Sequence, residues 1–397
     1  MDELRNPYAP GAGVQPPELT GRSDFIHSAE VTIGRAINRY HGKSFIAVGL
    51  RGVGKTVLLN RVRAIAEAKS CRVAMIEAHD DKSLPSLLMP DIRRILLDLD
   101  RIGAVCESAK AALQAFRSFL GSVKLSYGDI EVSLGVDPLP GVADSGDLEA
   151  DLPALFSAIG AAAKARNVVF VLIMDEIQYL SEKELSALVM AMHRVSQEQL
   201  PIILMGAGLP LLVGKMGESK SYAERLFEFP EVGALRYEDA SQAISEPAKR
   251  EGIAFTSEAL SSIFSLTKGY PYFIQQWAYV CWNRAACSPI TEKDVVNATP
   301  EVIGRLDTSF FRVRFDRLTP REKQYLRAMA ELGPGPHKSG DIAMKLGVQS
   351  NKLGPCRSNL ITKGMVYSPA YGDTAFTVPL FDQYMKRVMS FTPWAEE

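Results

Sequence analysis

The stretch from Ser44 to Leu59 constrains the fold more than any other part of the chain, because it joins an apolar run, a glycine-rich turn and an apolar-periodic helix. Its central residues, Gly49-Leu-Arg-Gly-Val-Gly-Lys-Thr56, have the spacing of a phosphate-binding loop. Glycines let such a loop curl so that its backbone N–H groups point inward, at the positive end of the next helix. The stretch therefore predicts a strand, a P-loop and a helix that together bind ATP or GTP.

The residues of this loop have distinct predicted roles. We expect Lys55 to supply positive charge to the β- and γ-phosphates, and we expect the Thr56 hydroxyl to bind Mg²⁺. The other residues expected to contact the nucleotide are Gly49, Arg51, Gly52, Val53, Gly54 and Val57.

Composition is that of an ordinary globular protein. Of the 397 residues, 47% are hydrophobic, which is enough for the cores of two or three domains. No apolar run approaches the roughly 20 residues of a membrane helix, and the first residues lack the apolar segment of a signal peptide. We therefore expect a cytoplasmic protein without a membrane partner. The five scattered cysteines favour neither a disulfide framework nor a zinc site.

Four more runs predict strands of the same sheet, with helices between them: Cys71–Glu77, Val168–Met174, Pro201–Met205 and Phe227–Phe229. Strands that alternate with helices form a parallel sheet, so the predicted class is α/β. The run from Val168 to Met174 is apolar throughout, as a buried central strand must be.

An acidic pair, Asp175-Glu176, ends this central strand. The carboxyl ends of parallel strands meet at one edge of the sheet, so the pair is expected near the phosphates. There Asp175 would hold Mg²⁺ through water, while Glu176 would deprotonate the attacking water. This pair favours hydrolysis over phosphoryl transfer. The alternative is that the two acids only cap the next turn.

The predicted organisation has four parts. They are a P-loop core (1–236, with a helix and hairpin insertion over 103–150), a helical lid (237–305), a basic connector (306–317) and a winged helix-turn-helix (318–390). In the core, a Pro/Gly-rich N-terminal arm should lie extended, the helix over Leu84–Leu97 should break near Pro90, and the hairpin should turn at Gly128-Asp129.

The predicted winged helix is basic, with ten Lys and Arg against five Asp and Glu over residues 318–390. On its candidate recognition helix, Lys352, Arg357 and Lys363 are the expected contacts to double-stranded DNA. Docking to a protein remains the alternative, because winged helices also serve that role and Gly354-Pro355 disturbs the start of the helix.

The motifs resemble those of a known superfamily. The loop Gly49–Thr56 and the strand ending at Asp175-Glu176 look like the Walker A and Walker B motifs of AAA+ ATPases, and Thr20-Gly21-Arg22 is similar to the box that precedes Walker A there. The lid and winged helix resemble the origin-recognition-like branch and related archaeal and bacterial P-loop ATPases. This resemblance implies a parallel-sheet core with a helical lid and a C-terminal winged helix, ATP and Mg²⁺ as cofactors, and Arg22 with the Pro-rich arm beside the adenine.

The resemblance also implies a role for Arg225, which looks like the arginine finger that precedes the fifth strand and reaches a neighbour's γ-phosphate. A guanidinium there would neutralise charge that develops in the transition state. A local salt bridge with Glu224 or Glu228 is the alternative for this residue.

Two segments depart from the AAA+ pattern. Met205–Pro210 has no Asn, Thr or Ser at the sensor-1 position. Lys268–Ile274 resembles the Gly-x-Pro segment of STAND ATPases, and it has Tyr272 where the sensor-2 arginine would stand. Pro271 and Tyr272 are therefore candidates to pack on the nucleotide. Both departures indicate slow turnover.

The expected function is that of a slow, Mg²⁺-dependent ATPase that works as a nucleotide-controlled switch and binds DNA through its winged helix. The alternative is a STAND-like signalling or defence scaffold, in which ATP drives self-association and the winged helix docks another protein. A P-loop kinase ranks third.

Overall fold

The computed structural model describes residues 1–11, 13–40, 42–79, 81–101, 106–122 and 136–394. By their contacts these residues form two units. We call them the sheet unit, Ser23–Gly49 with Lys55–Val232, and the helical unit, Met1–Arg22 with Leu50–Gly54 and Gly233–Glu397. The predicted hairpin around Gly128-Asp129 lies outside the described residues.

Five parallel strands form the centre of the sheet unit, in the order β2-β3-β4-β1-β5. They are β1 (Ser44–Val48), β2 (Arg72–Glu77), β3 (Phe170–Asp175), β4 (Ile202–Gly208) and β5 (Phe227–Glu228). Strands β1, β3 and β4 are buried along their whole length, which is typical of a parallel sheet covered on both faces. The predicted parallel α/β sheet is thus confirmed, and β4 separates the P-loop strand from the strand with the acidic pair.

Eight helices complete the sheet unit in its described part: α1 (Ser23–Ile37), α2 (Lys55–Ala68), α3 (Leu84–Arg101), α4 (Glu107–Ser122), α5 (Leu148–Ala165), α6 (Glu182–Gln197), α7 (Leu211–Ser219) and α8 (Ala223–Leu226). The prediction that the helix breaks near Pro90 is wrong, because α3 continues through that residue. A proline removes one backbone hydrogen bond, but Leu88 and Ile92 are fully buried on either side of it. Burial of this face holds the helix together.

Four helices form the centre of the helical unit: α9 (Tyr237–Arg250), α10 (Ser257–Thr267), α11 (Pro271–Arg284) and α12 (Glu292–Arg305). The N-terminal arm lies against them. Tyr8 is buried, donates to Ile244 O at 2.5 Å and packs edge-on against Trp282, whose indole donates to Asp2 O. The arm therefore contributes core side chains to this unit.

The segment predicted as a connector is helical. A π-helical turn spans Leu306–Phe311, and α13 follows it over Arg312–Asp316. In the turn, Phe311 packs against Phe381 and Tyr384 of the C-terminal helix, with ring centroids 5.7 and 5.2 Å apart. The turn therefore packs directly against the C-terminal part of the unit.

The C-terminal residues form three helices, a three-stranded antiparallel sheet in the order β6-β8-β7 and a last helix. Along the chain these are α14 (Pro320–Leu332), β6 (His337–Lys338), α15 (Ser339–Leu346), α16 (Gly354–Thr362), β7 (Val366–Tyr367), β8 (Asp373–Phe376) and α17 (Phe381–Val388). Neither β6 nor α17 was predicted from the sequence. Helix α16, which carries Arg357, begins at Gly354-Pro355.

No helix in the described part of the chain combines the length and apolar character needed to cross a membrane.

Candidate nucleotide site

The P-loop follows directly from β1. The Gly49 N–H donates to Gly208 O at the end of β4, at 3.1 Å, which anchors the start of the loop to the sheet. Gly52 and Gly54 have φ angles of 77° and 97°, in a region that only glycine adopts without strain. These two residues let the chain turn sharply enough for α2 to begin at Lys55. The first N–H groups of α2 have no acceptor within the helix, as is true of any helix, and this end of a helix favours an anion.

The loop lysine is buried. The Lys55 side chain is 5% exposed, and its Nζ donates to Gly49 O at 3.0 Å. An ammonium group at a phosphate-binding loop can form a charge-assisted hydrogen bond with a phosphate oxygen. The position of Lys55 therefore fits an anionic ligand in the loop.

The structure brings Thr56 and Asp175 together. The Thr56 hydroxyl donates to Asp175 Oδ2 at 2.6 Å, and Asp175, the last residue of β3, is 4% exposed. Burial raises the pKa of Asp175, and the hydrogen bond from Thr56 partly offsets that rise. A hydroxyl and a carboxylate at this distance are the oxygen donors that Mg²⁺ prefers. The residues present thus fit a Mg²⁺-nucleotide complex.

Glu176 follows with a left-handed backbone, φ 54°, and its N–H donates to Asp175 Oδ1 at 2.8 Å. Its carboxylate accepts a hydrogen bond from the Gln178 side-chain amide. The other end of that amide, Gln178 Oε1, accepts from Leu209 N at 3.0 Å, just beyond β4. Gln178 thus connects the predicted base to the next strand.

Sequence reasoning did not identify Gln178. This residue is 6% exposed, and a Cβ atom on Gly208 would stand 3.0 Å from its Oε1. At the end of β4, where a sensor-1 side chain is missing, the residues Gly206-Ala-Gly208 are small. They leave room for the Gln178 amide. The sequence does contain a signal for Gln178, because it is a single polar residue in the apolar run that follows Asp175-Glu176.

In the helical unit, Arg22 and Tyr270 hold the Leu50–Gly54 part of the P-loop. The Arg22 guanidinium donates to Val53 O at 3.3 Å and also to Gly233 O, and burial lowers the pKa of Arg22. The Tyr270 hydroxyl donates to Arg51 O. Of the predicted nucleotide contacts, Arg22 therefore lies next to the loop, while its place beside adenine stays a prediction.

The other expected nucleotide contacts of the lid are Pro271 and Tyr272. Pro271 is the first residue of α11, and the Tyr272 ring stacks on Phe310, with centroids 4.9 Å apart. Tyr272 is partly buried against its own unit. Whether either side chain packs on a nucleotide stays a prediction.

Arg225 is the third of the four residues of the short helix α8 and lies two residues before β5, which agrees with its predicted position ahead of the fifth strand. Its side chain is exposed, and among the described residues it forms no ion pair with Glu224, Glu228 or any other carboxylate. An exposed guanidinium at this point is available to another molecule.

The three basic residues proposed to contact DNA have different surroundings. Lys352 is exposed. Arg357 donates to Thr374 Oγ1 and Asp373 O, both at 2.8 Å, and so ties α16 to β8. Lys363 pairs with the buried Glu322 at 2.7 Å. Two of the three cations thus already have internal partners.

Comparison with known proteins gives two family matches. Residues 18–205 match the AAA ATPase domain, and residues 308–385 match a domain of unknown function, DUF8462. No match was found among curated proteins. The first match confirms the AAA+ resemblance of the Walker motifs.

Solved structures similar to the chain include a Walker-type ATPase of Pyrococcus abyssi, with 14% identity and a TM-score of 0.56 over 94% of this chain and 97% of that one. The RuvB Holliday junction branch migration motor of Thermotoga maritima has 14% identity and a TM-score of 0.45, over 90% and 92% of the two chains. The Orc1 protein of Aeropyrum pernix in complex with DNA has 16% identity and a TM-score of 0.46, over 94% and 93%. The first of these supports the ATPase fold.

Proposed function

We propose, from the match of residues 18–205 to the AAA ATPase domain, that the protein is a slow, Mg²⁺-dependent ATPase whose nucleotide cycle acts as a switch for DNA binding. One observation carries the ATPase part of this proposal. The Thr56 hydroxyl and the buried Asp175 carboxylate stand 2.6 Å apart, at the end of the strand that leads to Glu176.

In this proposal the P-loop N–H groups and Lys55 hold the phosphates, while Thr56 and Asp175 hold Mg²⁺. The bound ion neutralises charge on the phosphates. Glu176 accepts the proton of the attacking water, and Gln178 fixes the direction of the Glu176 carboxylate through its amide N–H. We expect slow turnover because the end of β4 has no polar side chain that could orient the attacking water.

Removal of the metal tests the Mg²⁺ site. We expect ATP hydrolysis, measured as phosphate release, to stop when Mg²⁺ is chelated. Thr56→Val should lower the rate about tenfold or more, since it removes a hydroxyl ligand, whereas Thr56→Ser keeps that hydroxyl and should stay near the wild-type rate. Equal rates for the valine and serine variants would place the metal elsewhere.

The DNA part of the proposal concerns residues 318–390, which we interpret as a winged helix. Two observations support it. These residues carry a local excess of five positive charges, and Lys352, two residues before the start of α16, is exposed. Arg357 and Lys363 contribute less, because their hydrogen bonds hold the fold. Phosphate attraction of this kind is independent of sequence and decreases with salt.

We expect the affinity for duplex DNA to fall steeply between low and physiological salt. Lys352→Ala should weaken binding a few-fold and reduce the salt slope by about one unit, as expected for the loss of one phosphate contact. Lys110→Ala, at an exposed position in α4, is the matched control and should change neither quantity. Fluorescence anisotropy with a labelled duplex measures both, in ATP and in ADP.

One observation favours the alternative, a STAND-like scaffold whose winged helix docks a protein. Met344 is 81% exposed in α15, and Tyr371 is fully exposed between β7 and β8. Apolar side chains on a surface are suited to a protein partner. Absent or salt-independent DNA binding in the experiment above, together with ATP-dependent self-association in a sizing experiment, would favour the scaffold.

A further inference from the structure

A cavity of about 550 Å³ lies at the edge of the parallel sheet where the strands begin, opposite the edge that carries Asp175. Its lining includes the first residues of β1 and β4, Ser44 and Ile202, and the residues directly before β2 and β3, Cys71 and Val169. All of the lining residues belong to the sheet unit. The five residues of β1 span about 17 Å, so the cavity is distinct from the candidate nucleotide site. Its volume is typical of small-molecule sites, which measure about 300 to 1,000 Å³.

Four turns, each between a helix and the next strand, meet at this cavity. Each contains a polar residue that lines the cavity and has a left-handed backbone, with φ between 51° and 62°: Arg39 before β1, Ser70 before β2, Asn167 before β3 and Gln199 before β4. Glycine is the usual residue in this conformation after a helix, because it has no Cβ atom. The chain instead places four polar side chains at one cavity.

Three cations line the cavity, whereas no carboxylate does so among the described residues. They are Arg39, Lys69 directly after α2, and Lys164 in the last turn of α5. All three are exposed, and none forms an ion pair in the part of the chain that the structure describes. The Arg39 guanidinium donates to Asn167 Oδ1 at 2.8 Å, which holds it in place without neutralising its charge. The rim of the cavity is therefore positive.

The ends of helices are the ordinary reason for cations at such positions. The helices α1, α2, α5 and α6 each lead into one of the four turns, and the C-terminus of a helix carries a partial negative charge of about half a unit. Three full positive charges exceed these four partial charges. The cavity thus keeps a positive potential after the helix ends are accounted for, and it favours an anion.

The walls of the cavity are apolar. Val168, Met192, Val195 and Leu226 line it, and Met192 and Val195 are each only 3% exposed. An apolar group that enters loses its contact with water, which is favourable. A charged rim above apolar walls suits a molecule that has one charged end and one apolar end.

We propose that this cavity binds a small organic anion with an apolar body, such as a medium-chain carboxylate. The carboxylate meets Arg39, Lys69 and Lys164 at the rim, and the apolar body packs against Met192 and Val195. The inference needs no bound nucleotide. Its failure and a failure of the proposed ATPase function are therefore separate results.

Calorimetry with decanoate as the probe tests this site in the full chain. We expect one decanoate to bind per chain, with an affinity that falls as salt rises. Decanol has the same apolar chain without the charge and should bind more weakly, while acetate, which lacks the apolar body, should not bind measurably. The double variant Lys69→Gln with Lys164→Gln should weaken decanoate binding about tenfold and leave decanol binding unchanged.

Helix α1 offers a matched pair of variants. Ile37 lines the cavity and is 41% exposed, whereas Val31, 44% exposed in the same helix, does not line it. Ile37→Glu adds a carboxylate to the rim and should weaken decanoate binding about tenfold or more. Val31→Glu adds the same charge elsewhere on the helix and should bind decanoate as the wild type does.

Four results would overturn the inference. The first is a wild-type protein that does not bind decanoate, and the second is an equal effect of the two glutamate variants, which would put the probe elsewhere. The third is an equal affinity for decanoate and decanol, which would exclude an anion site. The fourth is a double lysine variant with a lower melting temperature and an unchanged decanoate affinity, since the cations would then serve only the helix ends.

Discussion

Lys55→Ala is expected to abolish nucleotide binding while the protein remains folded. The ammonium group is buried, and its contact with a phosphate is a charge-assisted hydrogen bond in a region of low dielectric. Loss of such a contact costs about 3 kcal/mol, which corresponds to roughly a hundredfold in affinity. Lys55 also donates to Gly49 O within the protein, so the melting temperature without nucleotide is measured beside the titration to establish that the variant is folded.

Fluorescence titration with ATP measures this effect, and Lys69→Ala is its control. Lys69 directly follows α2, the helix that Lys55 begins, and it is exposed. Its replacement removes the same charge just beyond the other end of that helix, without touching the loop, so binding should be unchanged. Undiminished ATP binding by the Lys55→Ala protein would show that the nucleotide site is not the P-loop.

The same inactive protein serves to test Arg225. If that guanidinium completes the site of a neighbouring copy, Lys55→Ala molecules, which cannot bind ATP, can still supply Arg225 to Arg225→Ala molecules, which can. A mixture of the two inactive proteins should then release phosphate. Absence of activity in the mixture, at concentrations where the wild type is active, would remove Arg225 from the reaction.

The strands and the contact between Thr56 and Asp175, the proposed metal-binding pair, were predictable because each leaves a local signal. A run such as Val171–Met174, apolar at every position, has to be a strand with both faces covered. The rule that parallel strands end at one edge then places Asp175 near the P-loop, 119 residues away from Thr56, and the two side chains are indeed in contact.

Other features depend on contacts between distant segments. Pro90 predicts a break on local grounds, but the burial of Leu88 and Ile92 maintains the helix. Strand β6 has only two residues, which are too few to show the alternation of apolar and polar residues that marks a strand. It forms because it pairs with β8. Arg314 looked like one of many arginines in a basic connector. Only the folded chain puts its guanidinium 3.7 Å from the centre of the Phe310 ring.

Glu176→Gln should retain ATP binding and lose hydrolysis. General-base catalysis contributes about a hundred- to ten-thousandfold to a rate, and an amide cannot accept the proton of the attacking water. The geometry should survive, because the amide oxygen of the variant can still accept the hydrogen bond that Gln178 donates to the carboxylate. Phosphate release under saturating ATP, beside an equilibrium titration, separates the two effects. A variant with wild-type phosphate release would exclude Glu176 as the base.

Gln178→Leu separates orientation of the base from support of the fold. The leucine has similar size but neither donates to Glu176 nor accepts from Leu209 N, so the carboxylate is still present but loses its direction. If Gln178 orients the base, kcat falls about tenfold or more with little change in KM, and Gln178→Leu added to Glu176→Gln causes no further loss. If Gln178 only supports β4, the melting temperature falls while kcat is unchanged. The double variant is decisive, since two residues that act on one proton transfer cannot have additive effects.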